Sequence, residues 1–432
     1  MQKIRIGLLG LGTVGGGVYL HLKRNQTLLQ HRLGFKLEVT RVFARNRNKK
    51  RQVRIPDKLW AKSWQDVVKD PEVDVVVELI GGTTDAKQIV VEAMKNGKVV
   101  VIANKALLAK HGEELFDLSR TLQRPIFFEA SVAGGIPIIK ALHEGLVGNR
   151  ILSMHGIVNG TCNYILTRMS DEGLAFDDVL KQAQDLGYAE VDPTLDVDGW
   201  DAAHKTAILA SLAYGFWIKP EQVEVEGIRN ITAQDIEYAR QLGYRIKLLG
   251  IVKADNKNKV EIRVQPTLVP KEHVLSRVNG VYNAVAVRGD IVGETLFYGR
   301  GAGQDPTSSA VLSDLAEAGL MLEGIKKHRI FTPHKLYGKV KRNNEIVSRY
   351  YLRLSVLDQP GVLAQVATIL GKNKVGISSV IQPESTEPGD SVPLVLLLHD
   401  SLEASFQRAL RAISRLKSVK GKPRMIRIES FE

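Results

Sequence analysis

The stretch Gly10-Leu11-Gly12-Thr13-Val14-Gly15 follows directly on the apolar run Lys3–Leu9 and decides the fold of the N-terminal region. The run suits a central strand of a parallel sheet, and the residues after it show a helical pattern. In this G-x-G-x-x-G spacing the first glycine makes a tight turn, the second lets the backbone approach a pyrophosphate, and the third lets the helix pack on the strand. An ordinary glycine-rich turn is the alternative. The strand before and the helix after favour a Rossmann-like dinucleotide-binding domain, whose candidate cofactor residues are Gly10, Gly12, Thr13, Val14 and Gly15.

The end of the second strand, about Leu37 to Phe43, predicts which cofactor is used. An NAD site commonly has an acidic residue there, whereas this chain has Arg45, and five of the seven residues from Arg45 to Arg51 are basic. Because a guanidinium binds a 2′-phosphate bidentately, the loop favours NADP over NAD, with Arg45, Arg47 and Lys49 as candidates. A solvated basic loop, a nuclear-targeting signal or a nucleic-acid patch are the alternatives.

Two more buried strands end at possible ligand positions. Val73–Leu79 runs into Gly81 and Thr83, and Lys98–Ile102 runs into Lys105 at the start of a helix. Ligands bind at the carboxyl ends of strands in such sheets, so these residues are expected to face the crevice. A lysine at a helix start opposes the helix dipole, which favours a functional role for Lys105.

The segment from Glu190 to Asp201 holds five carboxylates within twelve residues. A calcium loop aligned on Gly199 would place Lys205 where a bidentate glutamate is needed, which excludes that interpretation. Asp201 and Lys205 are i, i+4 neighbours on an apolar helix stripe, so we predict a buried pair rather than an exposed ion pair. A lysine held by a carboxylate in a partly dry site can transfer a proton to a carbonyl oxygen.

Length and composition limit the class of protein. The 432 residues predict two or three domains, and 44% hydrophobic with 25% charged residues indicates a globular chain. No apolar run is long enough for a membrane span, and because the first strand starts at Ile4 we expect no signal peptide. The single cysteine, Cys162, fits a reducing, cytoplasmic setting and is interpreted as a small buried residue rather than a nucleophile. The net charge of +13 allows nucleic acid, an anionic membrane surface or anionic small ligands as partners.

The chain resembles the homoserine dehydrogenase family, in particular its bacterial members with a C-terminal ACT domain. The resemblance spans nearly the whole chain and is carried by four runs: Gly10–Gly15, Ala103–Leu107, Val158–Tyr164 and Gly187–Lys205. It implies interconversion of L-homoserine and L-aspartate 4-semialdehyde with a nicotinamide cofactor, in the branch that makes threonine and methionine.

The resemblance also implies roles for individual residues. Lys205 matches the catalytic general acid and base, Asp201 the carboxylate that orients it, and Lys105 a lysine between nicotinamide and substrate. The expected substrate-binding residues are Glu190, Asp196, Thr161 and Gly160. The loop Glu129–Ile136 resembles the family's monovalent cation site, which implies sodium as the ion and oxygen ligands from Glu129, Val132, Gly134 and Ile136. A late return of the chain at 299–327 is expected to close the cofactor site, with Gly303 in contact.

The C-terminal residues show a β-α-β-β-α-β order, which predicts a ferredoxin-like unit. It resembles an ACT domain, with the turn Asp358–Leu363 as its most specific part, and implies a threonine effector and a homo-oligomer, dimer or tetramer. A dimerisation domain that has lost its effector site is the alternative. We therefore predict an α/β chain with a Rossmann domain (1–130), a catalytic and dimerisation α+β domain (131–327), a linker (328–348) and an ACT domain (349–432).

Two other functional classes fit the sequence less well. Nucleic-acid binding is disfavoured because aromatic residues make up only 6% and do not interleave with the basic runs. A non-catalytic dinucleotide sensor is disfavoured because it has no need of the Asp201–Lys205 proton donor.

Overall fold

The computed structural model describes residues 2–325, 333–334, 336–383 and 391–431 of the chain. The chain forms two compact units. The first unit comprises Met1–Gly160, Asp201–Val223 and Tyr282–Gly338, and the second comprises Thr161–Trp200, Glu224–Val281 and Lys339–Glu432. Within the described residues, no helix is long and apolar enough to cross a bilayer.

A five-stranded parallel sheet of order β2-β1-β3-β4-β5 forms the N-terminal part of the first unit. Its strands are β1 (Lys3–Leu9), β2 (Lys36–Phe43), β3 (Val75–Glu78), β4 (Val99–Ile102) and β5 (Ile126–Phe127). The helices of this part are α1 (Thr13–Arg24), α2 (Gln26–Leu33), α3 (Trp64–Lys69), α4 (Thr84–Lys95) and α5 (Lys105–Leu122). Strands β3 and β4 are buried along their whole length, as near-continuous Val and Ile runs are in parallel sheets. The predicted Rossmann-like architecture is confirmed.

Two glycines of the N-terminal motif are required by the geometry of the β1–α1 turn. Gly10 has φ +100°, and a Cβ there would lie 2.4 Å from the carbonyl oxygen of Leu79. A Cβ on Gly15 would lie 2.0 Å from the carbonyl oxygen of Gly10, so this glycine allows the helix to approach the strand. A Cβ on Gly12 would meet open space. The first and third glycines are therefore packing requirements, and the second faces room for a ligand.

The middle of the chain contributes elements to both units. In chain order they are α6 (Ile138–Lys140), β6 (Ile151–Ile157), α7 (Gly160–Glu172), α8 (Phe176–Asp185), α9 (Thr194–Val197), α10 (Trp200–Tyr214), β7 (Glu224–Val225), α11 (Ala233–Gln241), β8 (Tyr244–Ala254), β9 (Lys259–Pro270), β10 (Tyr282–Gly289), β11 (Gly293–Arg300) and α12 (Gln304–Leu322). In the first unit, β10 pairs antiparallel with both β6 and β11.

Helix α12 returns to the nucleotide-binding sheet. It packs on α1, where a Cβ on Gly17 would lie 2.3 Å from Ser308 Oγ. Val311, Leu315 and other apolar residues of α12 join the same core as strand residues of β1 to β4. Residues from 304 onwards therefore complete the N-terminal core.

The last part of the second unit has the ferredoxin-like fold that the sequence predicts. Its elements are β12 (Lys339–Val340), β13 (Val347–Leu357), α13 (Val362–Lys372), β14 (Ile377–Ile381), β15 (Ser391–Leu402), α14 (Glu403–Ile413) and β16 (Val419–Ile428). The strand order β16-β13-β15-β14 with antiparallel neighbours is that of a ferredoxin-like sheet. Strand β16 also pairs in parallel with β9, so the sheet continues into the hairpin β8–β9.

An ion pair and a side-chain hydrogen bond join this C-terminal part to the rest of the second unit. Arg353 on β13 holds the Asp235 carboxylate of α11 with two hydrogen bonds, of 2.7 and 3.1 Å. Arg427 on β16 donates to Glu403 and to Gln265, the second of which lies on β9. The C-terminal part is therefore integrated into the unit by specific polar contacts as well as by its sheet.

The predicted domain boundaries stay a prediction. The second compact unit combines the ferredoxin-like part with residues 224–281, which the sequence scheme assigned to the catalytic domain. Part of the predicted linker, 328–348, lies outside the described residues. The described part of that segment includes β12, which pairs with β9.

Lys247 is a fully buried lysine in the second unit. Its Nζ donates to the carbonyl oxygen of Val278 at 2.5 Å, to Asn163 Oδ1 at 3.1 Å and to Asn279 Oδ1 at 3.2 Å. Burial lowers the pKa of Lys247 to about 7. Three neutral oxygens accept its hydrogen bonds, but keeping a charged ammonium group at this buried position still costs free energy of folding.

This burial predicts a pH-dependent stability. The folded state releases the Lys247 proton near pH 7, whereas an unfolded lysine holds it until about pH 10.4. The unfolded state therefore binds more protons in between, and raising the pH favours folding. We expect the stability of the parent relative to Lys247→Met to rise by more than about 1 kcal/mol between pH 7 and about 9.5, as measured by denaturant unfolding.

The control is Leu249→Met on the same strand, which removes no titrating group. Its stability difference from the parent should be the same at both pH values. A pH-independent difference for Lys247→Met would show that the lysine does not titrate in this range.

Candidate active site

Helix α10 brings the predicted pair of residues together in the first unit. Lys205 Nζ donates to Asp201 Oδ2 at 2.7 Å and to the carbonyl oxygen of Val158 at 2.8 Å. Asp201 is 2% exposed and Lys205 is 9% exposed. The pair is therefore buried, as the apolar stripe that continues through Ile208 predicts.

Lys105, the first residue of α5, reaches the same carboxylate from another element. Its Nζ lies 2.5 Å from Asp201 Oδ1, so each oxygen of Asp201 faces one ammonium group. The Lys105 side chain is 34% exposed, which makes it the more accessible of the two lysines. Asn159 adds a further hydrogen bond, from Nδ2 to Asp201 Oδ2 at 2.9 Å.

The two lysines determine the ionisation of Asp201. Burial alone would raise the pKa of Asp201, but the charges of Lys205 and Lys105 hold that pKa well below its ordinary value. Asp201 is therefore a carboxylate at neutral pH. Two ammonium groups against one carboxylate leave a net positive charge, which suits a site where negative charge develops on an oxygen atom.

The glycine motif borders a cavity of about 200 Å³. The cavity is lined by the turn after β1, by the basic loop after β2 and by the start of α12; its residues include Gly12, Thr13, Lys49, Lys50, Arg51 and Gln304. Free N–H groups at the start of α1 and the cations of the basic loop both favour an anionic ligand there. The residues present therefore fit the phosphates of a dinucleotide.

The predicted ribose-phosphate residues are separated in the structure. Arg45 donates to Asp85 Oδ2 at 3.1 Å, and Arg47 lies over the Trp60 ring and 2.5 Å from Asp57. Lys49 lines the cavity described above. The sequence reasoning did not single out Lys50 or Arg51, which line the cavity beside Lys49.

Gly81, Thr83 and Gly303 lie at turns that precede helices. Gly81 has φ +76° in the loop after β3, and Thr83 is the N-cap residue of α4. Gly303 has φ +110° and is the N-cap residue of α12. Helix starts of this kind offer backbone N–H groups to an anion.

The loop Glu129–Ile136 is almost wholly buried and has two consecutive left-handed residues, Ala133 and Gly134, each with φ +54°. The Glu129 carboxylate accepts the N–H groups of Ile139 and Lys140, both at 2.9 Å. Burial raises the pKa of Glu129 to about 7. Since the carboxylate already caps α6, a cation in this loop would be held by backbone carbonyl oxygens, which are suitable ligands for a hard cation.

The predicted substrate-binding residues lie mainly in the second unit. Thr161 Oγ1 donates to the carbonyl oxygen of Tyr188 at 2.7 Å, which ties α7 to the acidic segment. Asp196 lies on α9, where its carbonyl oxygen accepts the Cys162 thiol at 3.2 Å. Glu190 is exposed, and Gly160 is the first residue of α7. Cys162 is fully buried, which agrees with its interpretation as a packing residue.

Sequence reasoning missed two participants in the site. Asn159 binds Asp201, and the carbonyl oxygen of Val158 binds Lys205. Both lie in the run Val158–Tyr164, whose family resemblance pointed to Thr161 and Gly160 instead. The resemblance of the run Val158–Tyr164 to the family was the one sequence feature that pointed to this region. Hydrogen bonds between residues about forty positions apart leave no periodic pattern in a sequence.

Comparison with known proteins agrees with this geometry. The family described as "Homoserine dehydrogenase" matches residues 137–316, and "Homoserine dehydrogenase, NAD binding domain" matches residues 10–129. A homoserine dehydrogenase of Neisseria gonorrhoeae is 45% identical over 100% of both chains. The structure of a homoserine dehydrogenase from Thiobacillus denitrificans has a TM-score of 0.94 at 45% identity, covering 100% of this chain and 99% of that chain.

A more distant structure shows a relative with a bound cofactor. It is a hyperthermophilic archaeal homoserine dehydrogenase in complex with NADPH, with a TM-score of 0.64 at 30% identity. The match covers 74% of this chain and 98% of the archaeal chain. The dinucleotide-binding sheet and the family matches together define an NAD-binding oxidoreductase. The chain belongs to the homoserine dehydrogenase family.

Proposed function

We propose that the chain catalyses reversible hydride transfer between L-homoserine and L-aspartate 4-semialdehyde, with NADP as the preferred cofactor and NAD as the alternative. The observation that carries this proposal is the buried Asp201 carboxylate shared by Lys205 and Lys105. Such a group provides a proton donor and a positive field at one place, and both are needed when an aldehyde oxygen becomes a hydroxyl. The same activity would supply homoserine for threonine and methionine synthesis.

Lys205 is proposed to transfer the proton. Two of its three N–H bonds are directed to Asp201 and to the carbonyl oxygen of Val158, so one remains for a substrate oxygen. In the reductive direction its ammonium group protonates the carbonyl oxygen; in the oxidative direction its neutral amine accepts the hydroxyl proton. The bound nicotinamide supplies or accepts the hydride. Asp201 orients Lys205 and Lys105, and Lys105 adds positive charge near the developing oxyanion.

The remaining roles are proposed from the resemblance and from the local chemistry. The ammonium group of the substrate would meet Glu190 and Asp196, with Thr161 and Gly160 in the adjoining turn. The residues at the cofactor would be Gly10, Gly12, Thr13, Val14, Gly15, Arg45, Arg47, Lys49, Gly81, Thr83, Lys105 and Gly303. A monovalent cation, sodium in the first instance, would be bound by backbone oxygens of Glu129, Val132, Gly134 and Ile136.

Regulation and assembly form a further part of the proposal. The ferredoxin-like part of the second unit supports an ACT domain that senses threonine near the turn Asp358–Leu363, and Gly361 in that turn is the N-cap residue of α13. An amino-acid carboxylate is favoured at such a helix start. Homo-oligomers, dimeric or tetrameric, and a cytoplasmic location with a reduced Cys162 complete this proposal.

The role of Lys205 is tested by Lys205→Ala. Losing a positioned general acid and base should lower kcat for homoserine oxidation by about a thousandfold, while the Kd for NADPH stays within about threefold of the parent. Steady-state assays and NADPH fluorescence titration measure the two quantities. Lys110→Ala, an exposed lysine of α5, is the control and should keep parental turnover. Near-parental kcat in Lys205→Ala would remove the catalytic assignment.

The role of Arg45 is tested by comparing the two cofactors. Arg45→Ala should raise the KM for NADP by about tenfold or more, because a charge-assisted phosphate contact is lost, and should change the KM for NAD by less than about threefold. Arg32→Ala on α2 is an exposed control in the same unit. An equal rise in KM for both cofactors would show that Arg45 does not recognise the 2′-phosphate.

A further inference from the structure

Glu78, the last residue of β3, is a completely buried carboxylate in the first unit. Its Oε1 accepts the N–H groups of Ile80 at 2.7 Å and Gly81 at 3.0 Å. Its Oε2 accepts Asn104 Nδ2 at 3.1 Å. A buried carboxylate is costly unless hydrogen bonds satisfy it, and here neutral N–H groups on two different segments do so.

Asn104 connects that carboxylate to the start of α5. Its Nδ2 donates both to Glu78 and to the carbonyl oxygen of Gly82, the latter at 2.7 Å. Its Oδ1 accepts the N–H of Leu107 at 3.0 Å, which makes Asn104 the N-cap residue of α5. One amide group therefore ties together the end of a strand, the following loop and the first turn of a helix.

These contacts lie between two parts of the proposed site. The loop Ile80–Gly82 includes Gly81, a candidate cofactor residue, and both of its glycines have positive φ, +76° and +77°. Lys105, whose Nζ lies 2.5 Å from Asp201, is the residue after Asn104. A small displacement of this helix start would move an ammonium group whose geometry matters to the reaction.

A purely structural explanation accounts for only part of the network. An N-cap needs one acceptor oxygen, as Ser63 shows at the start of α3, where its side chain accepts the N–H of Asp66. The Nδ2 contacts of Asn104 are additional to capping. An apolar residue at position 78 would fill the buried end of this strand at a lower free-energy cost than a carboxylate. The presence of a carboxylate therefore indicates that its hydrogen bonds serve a function. Burial raises the pKa of Glu78, which agrees with that cost.

We propose that Glu78 and Asn104 are positioning residues that clamp the loop Ile80–Gly82 to the start of α5, so that the cofactor loop and the Lys105 ammonium keep a fixed relative position. This inference rests on the proposed function, because it assumes the roles given above to Gly81 and Lys105. Glu78 and Asn104 act through these neighbours and are not catalytic residues.

The test distinguishes the proposed clamping role of Asn104 from its role as the N-cap residue of α5. Asn104→Ser keeps an N-cap oxygen but removes both Nδ2 donors. Ser63→Ala is the matched control, because it removes the N-cap hydrogen bond of α3, another helix of the N-terminal part, at a residue outside the proposed site. We expect kcat for homoserine oxidation to fall by about tenfold or more in Asn104→Ser, with the KM for homoserine within about threefold of the parent. Ser63→Ala should keep kcat within about twofold, although its Tm falls by a few degrees.

A second variant tests the same clamp if Asn104→Ser does not fold. Glu78→Gln keeps an oxygen for Ile80 and Gly81 but turns an amide N–H towards Asn104 Nδ2, so two donors face each other. It should reproduce the loss of kcat with unchanged KM for homoserine. Parental kcat in a folded Asn104→Ser or Glu78→Gln enzyme overturns the clamp, as does an equal loss in Ser63→Ala.

Failure of the proposed function would be recognised separately. If the parent protein did not oxidise homoserine, the proposed reaction would be wrong, and NADPH titration of the same variants would still test the clamp. The clamp predicts that the Kd for NADPH rises by about threefold or more in Asn104→Ser and Glu78→Gln but not in Ser63→Ala. An unchanged Kd in that case would overturn the inference.

Discussion

The Asp201 carboxylate, held between the ammonium groups of Lys105 and Lys205, is the interaction on which the site depends. Burial by itself raises the pKa of the Asp201 carboxyl, and two buried or half-buried lysines without a carboxylate would repel each other. Each of the three groups therefore requires the other two. The pair lies beside the apolar stripe of α10, and burial of Ile208 and its neighbours helps to keep water away from it.

The parallel sheet supplies the positions that this interaction needs. Lys105 follows β4 and Glu78 ends β3, so both lie at the carboxyl edge of neighbouring strands, where ligands bind in folds of this class. The glycine turn after β1 opens at the same edge. The proposed catalytic group and the proposed cofactor residues thus meet at one edge. The charges there are local: the cations of the basic loop lie near Gly12, and a carboxylate lies between two lysines at α10.

Sequence patterns predicted those features that have a local physical cause. The G-x-G-x-x-G spacing predicted the turn because Gly10 and Gly15 are required by contacts within a few residues or with the adjoining strand. The i, i+4 spacing of Asp201 and Lys205 predicted a pair on one helix face, and the apolar stripe predicted its burial. The contacts of Asn159 and Asn104 left no such pattern, because they join segments that only the folded chain brings together. The same reason explains why the second unit combines residues 224–281 with the ferredoxin-like part.

The most direct test of the central claim is the turnover of Asp201→Asn in homoserine oxidation, with Asp117→Asn, an exposed carboxylate of α5, as control. Asparagine keeps the shape but removes the charge that both lysines share, so kcat should fall by about a hundredfold or more, with a folded protein and a Kd for NADPH within about threefold of the parent. Asp117→Asn should keep kcat within about twofold. A folded Asp201→Asn enzyme with parental kcat would contradict the account.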